Sequence, residues 1–369
     1  MSGSAIRRDR LFALFGDMVD LYSPSGKEDE LTSFLEDYLR ACGLAVESQP
    51  VDETRRNLIV SAGASPSLLF LGHIDTVPAC DIEHYGFSAC GSLCRGLGTA
   101  DMKGGCAAMI EAFAAAAEQG TLGADAALAL VVGEEETGDG TRALLESHRF
   151  REALVGEPTA LRPCLAHYGY VEMFVRAFGA RRHAAMSTRD TNAIRALLRL
   201  LLRIEERVER DEPDTVLNIR DLRSSEAGFA VPDLCAAGVD LHVPPDTRAG
   251  PYAKELRRFV DATLEESRAS RYEIEFPTLA DGFRVDPASE LPRTLRRVLE
   301  GSGRAWSPAA FASHSDANLL YDAGCRPVVL GPGRLADAHT RDECIDFEQV
   351  VAASEIYAGV LSELYGENF

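Results

Sequence analysis

SLLFLGHID (residues 67–75) is a short apolar run that leads directly into a glycine, a histidine and an aspartate. Its apolar part predicts a buried strand. Further along the chain, KGGCAAMIEAFAAAAEQ (103–119) predicts a helix and AALALVV (126–132) predicts a second buried strand. Because buried strands that alternate with helices form parallel sheets, the sequence predicts an α/β fold with a mostly parallel sheet and flanking helices.

The pattern changes over residues 169–284. Three segments there alternate between apolar and polar residues: VEMFVRAF (171–178) and two stretches within residues 215–243, the second being AAGVDLHV (236–243). Two further segments, Asp190–Arg210 and Tyr252–Arg268, predict helices. This strand-helix-strand-strand-helix-strand order predicts a smaller ferredoxin-like α+β unit. We therefore expect a first domain built from residues 1–168 and 285–369, interrupted by an inserted domain over residues 169–284.

Composition excludes several classes of partner. The chain has 38 Lys plus Arg against 58 Asp plus Glu, a net charge of −20, so neither nucleic acid nor an anionic membrane surface is an expected partner. No stretch is long and apolar enough to predict a membrane-spanning helix, and the polar N-terminus, Met1–Arg10, lacks the apolar segment of a secretory signal. The nine cysteines show neither a disulfide framework nor zinc-knuckle spacing. We therefore expect a cytoplasmic protein with reduced cysteines.

Five segments place histidines or acidic residues just after apolar runs or glycine turns. They are LFLGHID (69–75), GLGTADMKGG (96–105), GEEETGDG (133–140), LVGEPT (154–159) and VVLGPGRLADAHTRDE (328–343). Taken singly, each has a simpler interpretation, such as a helix cap for Asp101 or a solvated acidic loop for the glutamates. Together they predict one site at the carboxyl edge of the sheet, where α/β enzymes hold ligands and where a dication would compensate crowded carboxylates.

The candidate ligands are two histidines and three carboxylates, which suit two zinc-like ions with one bridging carboxylate: His73, Asp101, Glu135 or Glu136, Glu157 and His339. A remaining glutamate could then act as a general base on metal-bound water. Asp75 lies two residues after His73 on extended backbone, so its carboxylate can face the imidazole and fix its tautomer.

These motifs resemble those of the co-catalytic zinc aminoacylase and carboxypeptidase family, which includes acetylornithine deacetylase, succinyl-diaminopimelate desuccinylase, glutamate carboxypeptidase and tripeptidase. The matching segments occur in the family's order: GHIDTVP (72–78), GLGTADMKGG (96–105), GEEETG (133–138), GEPT (156–159) and GPG…AHTRDE (331–343). The resemblance implies a zinc-exopeptidase-like catalytic domain and an insert that serves as a lid and dimerisation domain. It also implies two divalent metal ions, with zinc expected and cobalt or manganese as alternatives.

The resemblance further implies a role for each ligand. Asp101 would bridge the two ions, His73 and Glu157 would complete one metal site, and Glu136 and His339 would complete the other.

The general base depends on how the run of glutamates is aligned. The alignment we adopt makes Glu135 the general base, with Asp75 as the partner of the metal-binding His73. A shift by one residue would instead make Glu134 the base and Glu135 the metal ligand.

In the insert, GARRHAAM (179–186) resembles the family segment whose histidine stabilises the tetrahedral intermediate in a neighbouring active site. This nominates His183 as a catalytic residue and implies a homodimer formed through the insert; an exposed loop histidine is the alternative. Two positions depart from the family pattern: Phe229 stands where Asn is usual, and His242 where Arg is usual. Because these positions usually contact the substrate carboxylate, substrate identity stays open, with Asn218 as a further candidate polar contact.

The reaction that the resemblance implies is removal of an acetyl- or succinyl-type group from an N-acyl amino acid, by attack of a water bound to both metals. The partner would be that small molecule or a short peptide. A dipeptidase or carboxypeptidase with the same dinuclear site is the alternative, and a metal-free binding protein on the same scaffold is a third reading.

Overall fold

The computed structural model describes residues 6–188, 191–267 and 271–366. The chain divides into two compact units. Unit 1 contains the described residues up to 165, together with 285–311 and 315–366. Unit 2 contains the described residues of 166–284 together with 312–314, a short segment that the sequence had not assigned to the insert.

The α-helices are α1 (Arg8–Asp20), α2 (Asp29–Ala41), α3 (Gly104–Glu118), α4 (Asp139–Ser147), α5 (Ala193–Asp211), α6 (Ala249–Ser267), α7 (Glu290–Gly301), α8 (Asp316–Asp322) and α9 (Phe347–Gly366). The strands are β1 (Val46–Pro50), β2 (Arg56–Ser61), β3 (Leu68–His73), β4 (Ser88–Cys90), β5 (Leu93–Arg95), β6 (Ala126–Val131), β7 (Glu152–Val155), β8 (Cys164–His167), β9 (Gly169–Phe178), β10 (Val216–Ser224), β11 (Leu234–Val243), β12 (Tyr272–Glu275), β13 (Leu279–Ala280), β14 (Phe283–Arg284), β15 (Ala309–Phe311), β16 (Arg326–Val329) and β17 (Cys344–Asp346).

Unit 1 is built on a sheet with the strand order β1-β2-β6-β3-β7-β16, followed by β8. The central strands β6, β3, β7 and β16 are parallel, whereas β1 and β2 are antiparallel. Every residue of β3, β6 and β7 is buried, as expected of strands covered by helices. The predicted mostly parallel sheet is therefore confirmed.

The direction of these strands explains where polar groups can meet. Since β6, β3, β7 and β16 are parallel neighbours, their carboxyl ends lie at the same edge of the sheet. The loops that leave this edge begin at residues 74, 132, 156 and 330. A second, small antiparallel sheet with the order β17-β5-β4 lies in the same unit.

Unit 2 is an antiparallel sheet with the order β10-β11-β9-β12, with β13 also paired to β9. Alternate residues of β9 are buried and pack with the apolar stripes of α5 and α6. The chain order β9-α5-β10-β11-α6-β12 matches the predicted ferredoxin-like unit. Helices α5 and α6 correspond to the two predicted helices, whose predicted ends Asp190 and Arg268 lie outside the described residues.

Within the part of the chain that the structure describes, no helix combines the length and the apolar character needed to cross a membrane.

Candidate metal centre and active site

His73 is the last residue of β3, and its ring is held by Asp75. The Nδ1 atom lies 3.0 Å from the Asp75 backbone oxygen and 3.5 Å from its Oδ1. The Asp75 carboxylate also accepts the backbone N–H groups of Glu134 and Glu135, both at 3.1 Å, and the Ser25 hydroxyl at 2.6 Å. A proton on Nδ1 is therefore shared with Asp75, which leaves Nε2 available as a ligand atom.

Three acidic side chains converge on Nε2 of His73. The nearest carboxylate oxygens belong to Asp101 at 3.2 Å, Glu157 at 3.8 Å and Glu134 at 3.9 Å. All three side chains are at least 90% removed from solvent. Because buried carboxylates are costly without compensation, this arrangement favours positive charge at its centre, from an imidazolium or from a bound cation.

Asp101 lies between two histidines. Its Oδ1 faces His73, and its Oδ2 is 3.3 Å from Nε2 of His339. The same Nε2 of His339 is 3.0 Å from the carboxylate of Glu135. Ligand atoms of His73, Asp101 and Glu135 all lie within 4.8 Å of one another, a spacing that could hold a metal ion. Asp101 can thus present one oxygen to each of two neighbouring positions.

The pKa values of the cluster groups reflect their burial and their close contacts with one another. Burial raises the pKa of the Glu134 and Glu157 carboxyl groups well above their usual range. Burial alone would lower the pKa of His339, but Asp101 and Glu135 raise it to about 11. With the carboxylates of Asp101, Glu134, Glu135 and Glu157 all ionised, the cluster would hold more negative charge than its two imidazoles compensate. Its donor set of histidine nitrogens and carboxylate oxygens fits divalent ions such as zinc.

The structure does not bring Glu136 to the cluster, because its side chain is exposed. The local backbone explains this placement. Gly133 adopts a left-handed conformation (φ 74°), and its carbonyl accepts the N–H groups of Thr137 and Gly138 in a turn. Since the Asp75 carboxylate holds the N–H groups of the first two glutamates, those two enter the site and the third faces solvent. The geometry therefore does not fit Glu136 as a ligand. It favours the alternative alignment, in which Glu134 is the general base and Glu135 is the metal ligand.

Ser25 also supports the site, although its role could not be predicted from the sequence. Its hydroxyl binds Asp75 across 50 residues of sequence, and no local motif signals such a distant partner.

The candidate residues of unit 2 are partly occupied by contacts within that unit. His183 is exposed, and its Nδ1 accepts the N–H of Ala185 at 3.2 Å. Phe229 is 94% exposed. The His242 ring packs near a tyrosine ring in the same unit, and the Asn218 amide donates to Asp240 at 3.2 Å. Their roles toward a substrate stay predictions.

A cleft of about 320 Å³ in unit 1 reaches the candidate metal centre. His339 is part of its wall, as are Val77, Tyr85, Arg95 and Arg341. A small molecule in this cleft would lie beside the exposed face of a proposed ligand.

Comparison with known proteins identifies the family. A Pyrobaculum aerophilum protein with the provisional name LysW-lysine/LysW-ornithine hydrolase is 28% identical over 362 residues, which cover 95% of this chain and 96% of that protein. The fold is similar to a Staphylococcus aureus tripeptidase (TM-score 0.82, 18% identity, 98% of this chain and 100% of the other). It is also similar to a dinuclear metal-binding peptidase of family M20 from Bacillus subtilis (TM-score 0.69, 14% identity, 97% and 98%). The sequence model of peptidase family M20/M25/M40 matches residues 69–363, well over half of the chain, and the chain belongs to this family.

Proposed function

We propose that the protein is a metal-dependent amidohydrolase that removes an acyl group from an N-acyl amino acid. Members of its family are enzymes that act on amide bonds, which sets the reaction class. The observation that carries the proposal is the buried cluster in which Asp101 lies between His73 and His339. No simple structural role explains two imidazoles and several carboxylates gathered at one sheet edge.

The proposed cofactor is a pair of divalent ions, with zinc as the first choice. Asp101 would bridge them, His73 and Glu157 would hold one ion, and Glu135 and His339 would hold the other. When bound, the ions would supply positive charge that polarises the amide carbonyl and acidifies water.

Glu134 is the proposed general base. Its carboxylate is buried and lies 3.9 Å from Nε2 of His73, and burial raises the pKa of this carboxyl group well above its usual range. It would take a proton from the attacking water and return it to the nitrogen of the leaving amine. Asp75 would keep the His73 ring oriented, because it binds Nδ1 and the backbone that carries Glu134.

The substrate class is supported by the Pyrobaculum relative, whose name describes a hydrolase of LysW-lysine and LysW-ornithine. The alternative, a dipeptidase or carboxypeptidase, is supported by the fold likeness to the tripeptidase. A panel of acetyl- and succinyl-amino acids, measured beside dipeptides and tripeptides with zinc-, cobalt- and manganese-reconstituted protein, separates the two. Higher kcat/KM for the acylated set supports the proposal, and preference for peptides contradicts it.

We also propose a homodimer formed through unit 2. Helix α5 and strand β10, which lies at the edge of the unit 2 sheet among the described strands, contact each other and expose large apolar side chains. Leu202 is 55% exposed on α5, and Val216 is 51% exposed on β10. Replacing Leu202 with Glu should shift sedimentation from dimer to monomer.

In such a dimer, His183 would stabilise the oxyanion in the partner's active site. Mixing the inactive variants His183→Ala and Glu134→Gln tests this directly. If His183 acts across the interface, a randomised mixture recovers about a quarter of the wild-type activity, because half of the dimers are hybrids with one complete site. If His183 acts within its own chain, hybrids contain no complete site and activity stays at the level of the separate variants.

A further inference from the structure

A buried carboxylate outside the proposed ligand set holds the turn that carries Asp101. Glu343 is only 3% exposed. Its Oε2 accepts the N–H of Gly98 at 3.1 Å, and its Oε1 accepts the N–H groups of Ala100 at 2.9 Å and Asp101 at 3.1 Å. Its backbone oxygen also accepts the N–H of Gly96 at 3.2 Å. One residue therefore accepts four hydrogen bonds from a six-residue segment of the backbone.

The same residue lies close in sequence to a second proposed ligand. Glu343 follows His339 by four residues, and strand β17 begins directly after it. Its side chain therefore joins the loop that holds His339 to the turn that holds Asp101. These are the two groups that face each other at 3.3 Å in the cluster.

The turn offers few ways to replace these bonds. Gly98 has a left-handed backbone (φ 79°), and a Cβ placed there would lie 2.7 Å from a methyl group of Thr76. Without Glu343, buried N–H groups would lose their acceptor, which costs free energy unless the turn rearranges. A rearrangement would move the Asp101 carboxylate.

We propose that Glu343 is a positioning residue that fixes Asp101 relative to His339 and so sets the geometry of the metal centre. The inference rests on the proposed function, since it presupposes that Asp101 binds metal. It makes no use of Glu343 as a ligand: its two oxygens are already directed at backbone N–H groups.

Two substitutions remove these bonds to different degrees. Glu343→Gln keeps one acceptor oxygen but directs an amide NH₂ at a backbone donor. Glu343→Ala removes both acceptors. Glu152→Gln is the matched control, because Glu152 is 4% exposed and accepts the N–H of Leu291 at 3.0 Å at the opposite end of strand β7 from the cluster.

The experiment titrates full-length apoprotein with Zn²⁺ alone, in competition with a chromogenic chelator. We expect Glu343→Gln to weaken zinc binding about 10- to 100-fold and Glu343→Ala at least as much, as removal of groups that orient metal ligands typically does. Glu152→Gln should bind zinc as the wild-type protein does. Zinc affinity of Glu343→Gln within twofold of wild type would overturn the inference.

A second measurement separates positioning from a general structural role. Thermal unfolding is followed with and without Zn²⁺, and ligand binding to the folded state raises Tm. Positioning predicts a smaller zinc-induced rise in Tm for Glu343→Gln than for wild type and the control. An equal rise, or failure of both Glu343 variants to fold, would show that the residue serves the fold alone. If wild type itself binds no zinc, the proposed metal centre is wrong, which is a different result from equal binding by all proteins.

Discussion

The three successive glutamates after β6 provide a sharp test of the site, because the structure assigns each a different surrounding. Glu134 is buried and directed toward His73, Glu135 contacts His339, and Glu136 is exposed. Each can be replaced with Gln, which keeps the side-chain shape and removes the charge. The three variants then differ only in which position of the loop has changed.

The expected losses differ in kind. Glu134→Gln removes the proposed general base, which contributes about 10²- to 10⁴-fold in rate, equivalent to about 2.7–5.4 kcal/mol at 1.36 kcal/mol per tenfold. Its metal content should stay at the wild-type value, because Glu134 is not a proposed ligand. Glu135→Gln should lower the metal content and, with it, the activity. Glu136→Gln should change neither by more than about twofold, as is usual for an exposed side chain away from the site.

The assay combines kcat/KM on the best substrate of the panel with metal content measured by mass spectrometry and unfolding measured by circular dichroism. Glu136→Gln serves as the internal control for changes in the loop itself. Our reasoning fails if Glu136→Gln loses metal while Glu135→Gln retains it, since that would restore the alignment with Glu135 as base. It also fails if Glu134→Gln keeps activity within tenfold of wild type.

Three further predictions concern stability, pH and metal content. Arg10→Met removes the guanidinium that lies 2.7 Å from the carboxylate of the fully buried Glu111, and should lower the free energy of unfolding by about 3–5 kcal/mol in urea titration. Replacing the exposed Arg8, which pairs with Glu348, should have little effect. Equal losses in the two variants would contradict this prediction. Burial lowers the pKa of His167 from 6.5 to about 3. Between pH 6.5 and about pH 3, the unfolded chain therefore binds a proton at this histidine that the folded chain does not. The free energy of unfolding consequently falls as the pH is lowered through this interval. His167→Gln should reduce that slope by up to about 1.4 kcal/mol per pH unit, measured by urea unfolding between pH 4 and 6, and an unchanged slope would refute it. His339→Ala should reduce bound metal below the wild-type content, and a full complement of ions in this variant would exclude His339 as a ligand.

The strands within each unit could be expected from local patterns. The apolar runs that became β3 and β6 are short and bounded by glycine or polar residues, and a helix separates them, so a parallel pairing was the simplest topology. The alternation along β9 similarly indicated a sheet with one covered face. The inclusion of residues 312–314 in unit 2 was not predictable, because no local pattern distinguishes them from the chain around them.

The gathering of histidines and carboxylates at one edge of the sheet could be predicted from the sequence alone. Each candidate side chain follows an apolar strand or a glycine turn, and a parallel sheet brings such strand ends together at one edge. Only the tertiary structure shows which of the three glutamates lie in the cluster and which one faces solvent. Three identical neighbours carry no local signal of direction; the difference arises because the Asp75 carboxylate, about 60 residues earlier in the chain, binds the N–H groups of Glu134 and Glu135 and leaves Glu136 in solvent. Hydrogen bonds between residues so far apart in sequence exist only once the sheet has formed, and no reading of a single segment can supply them.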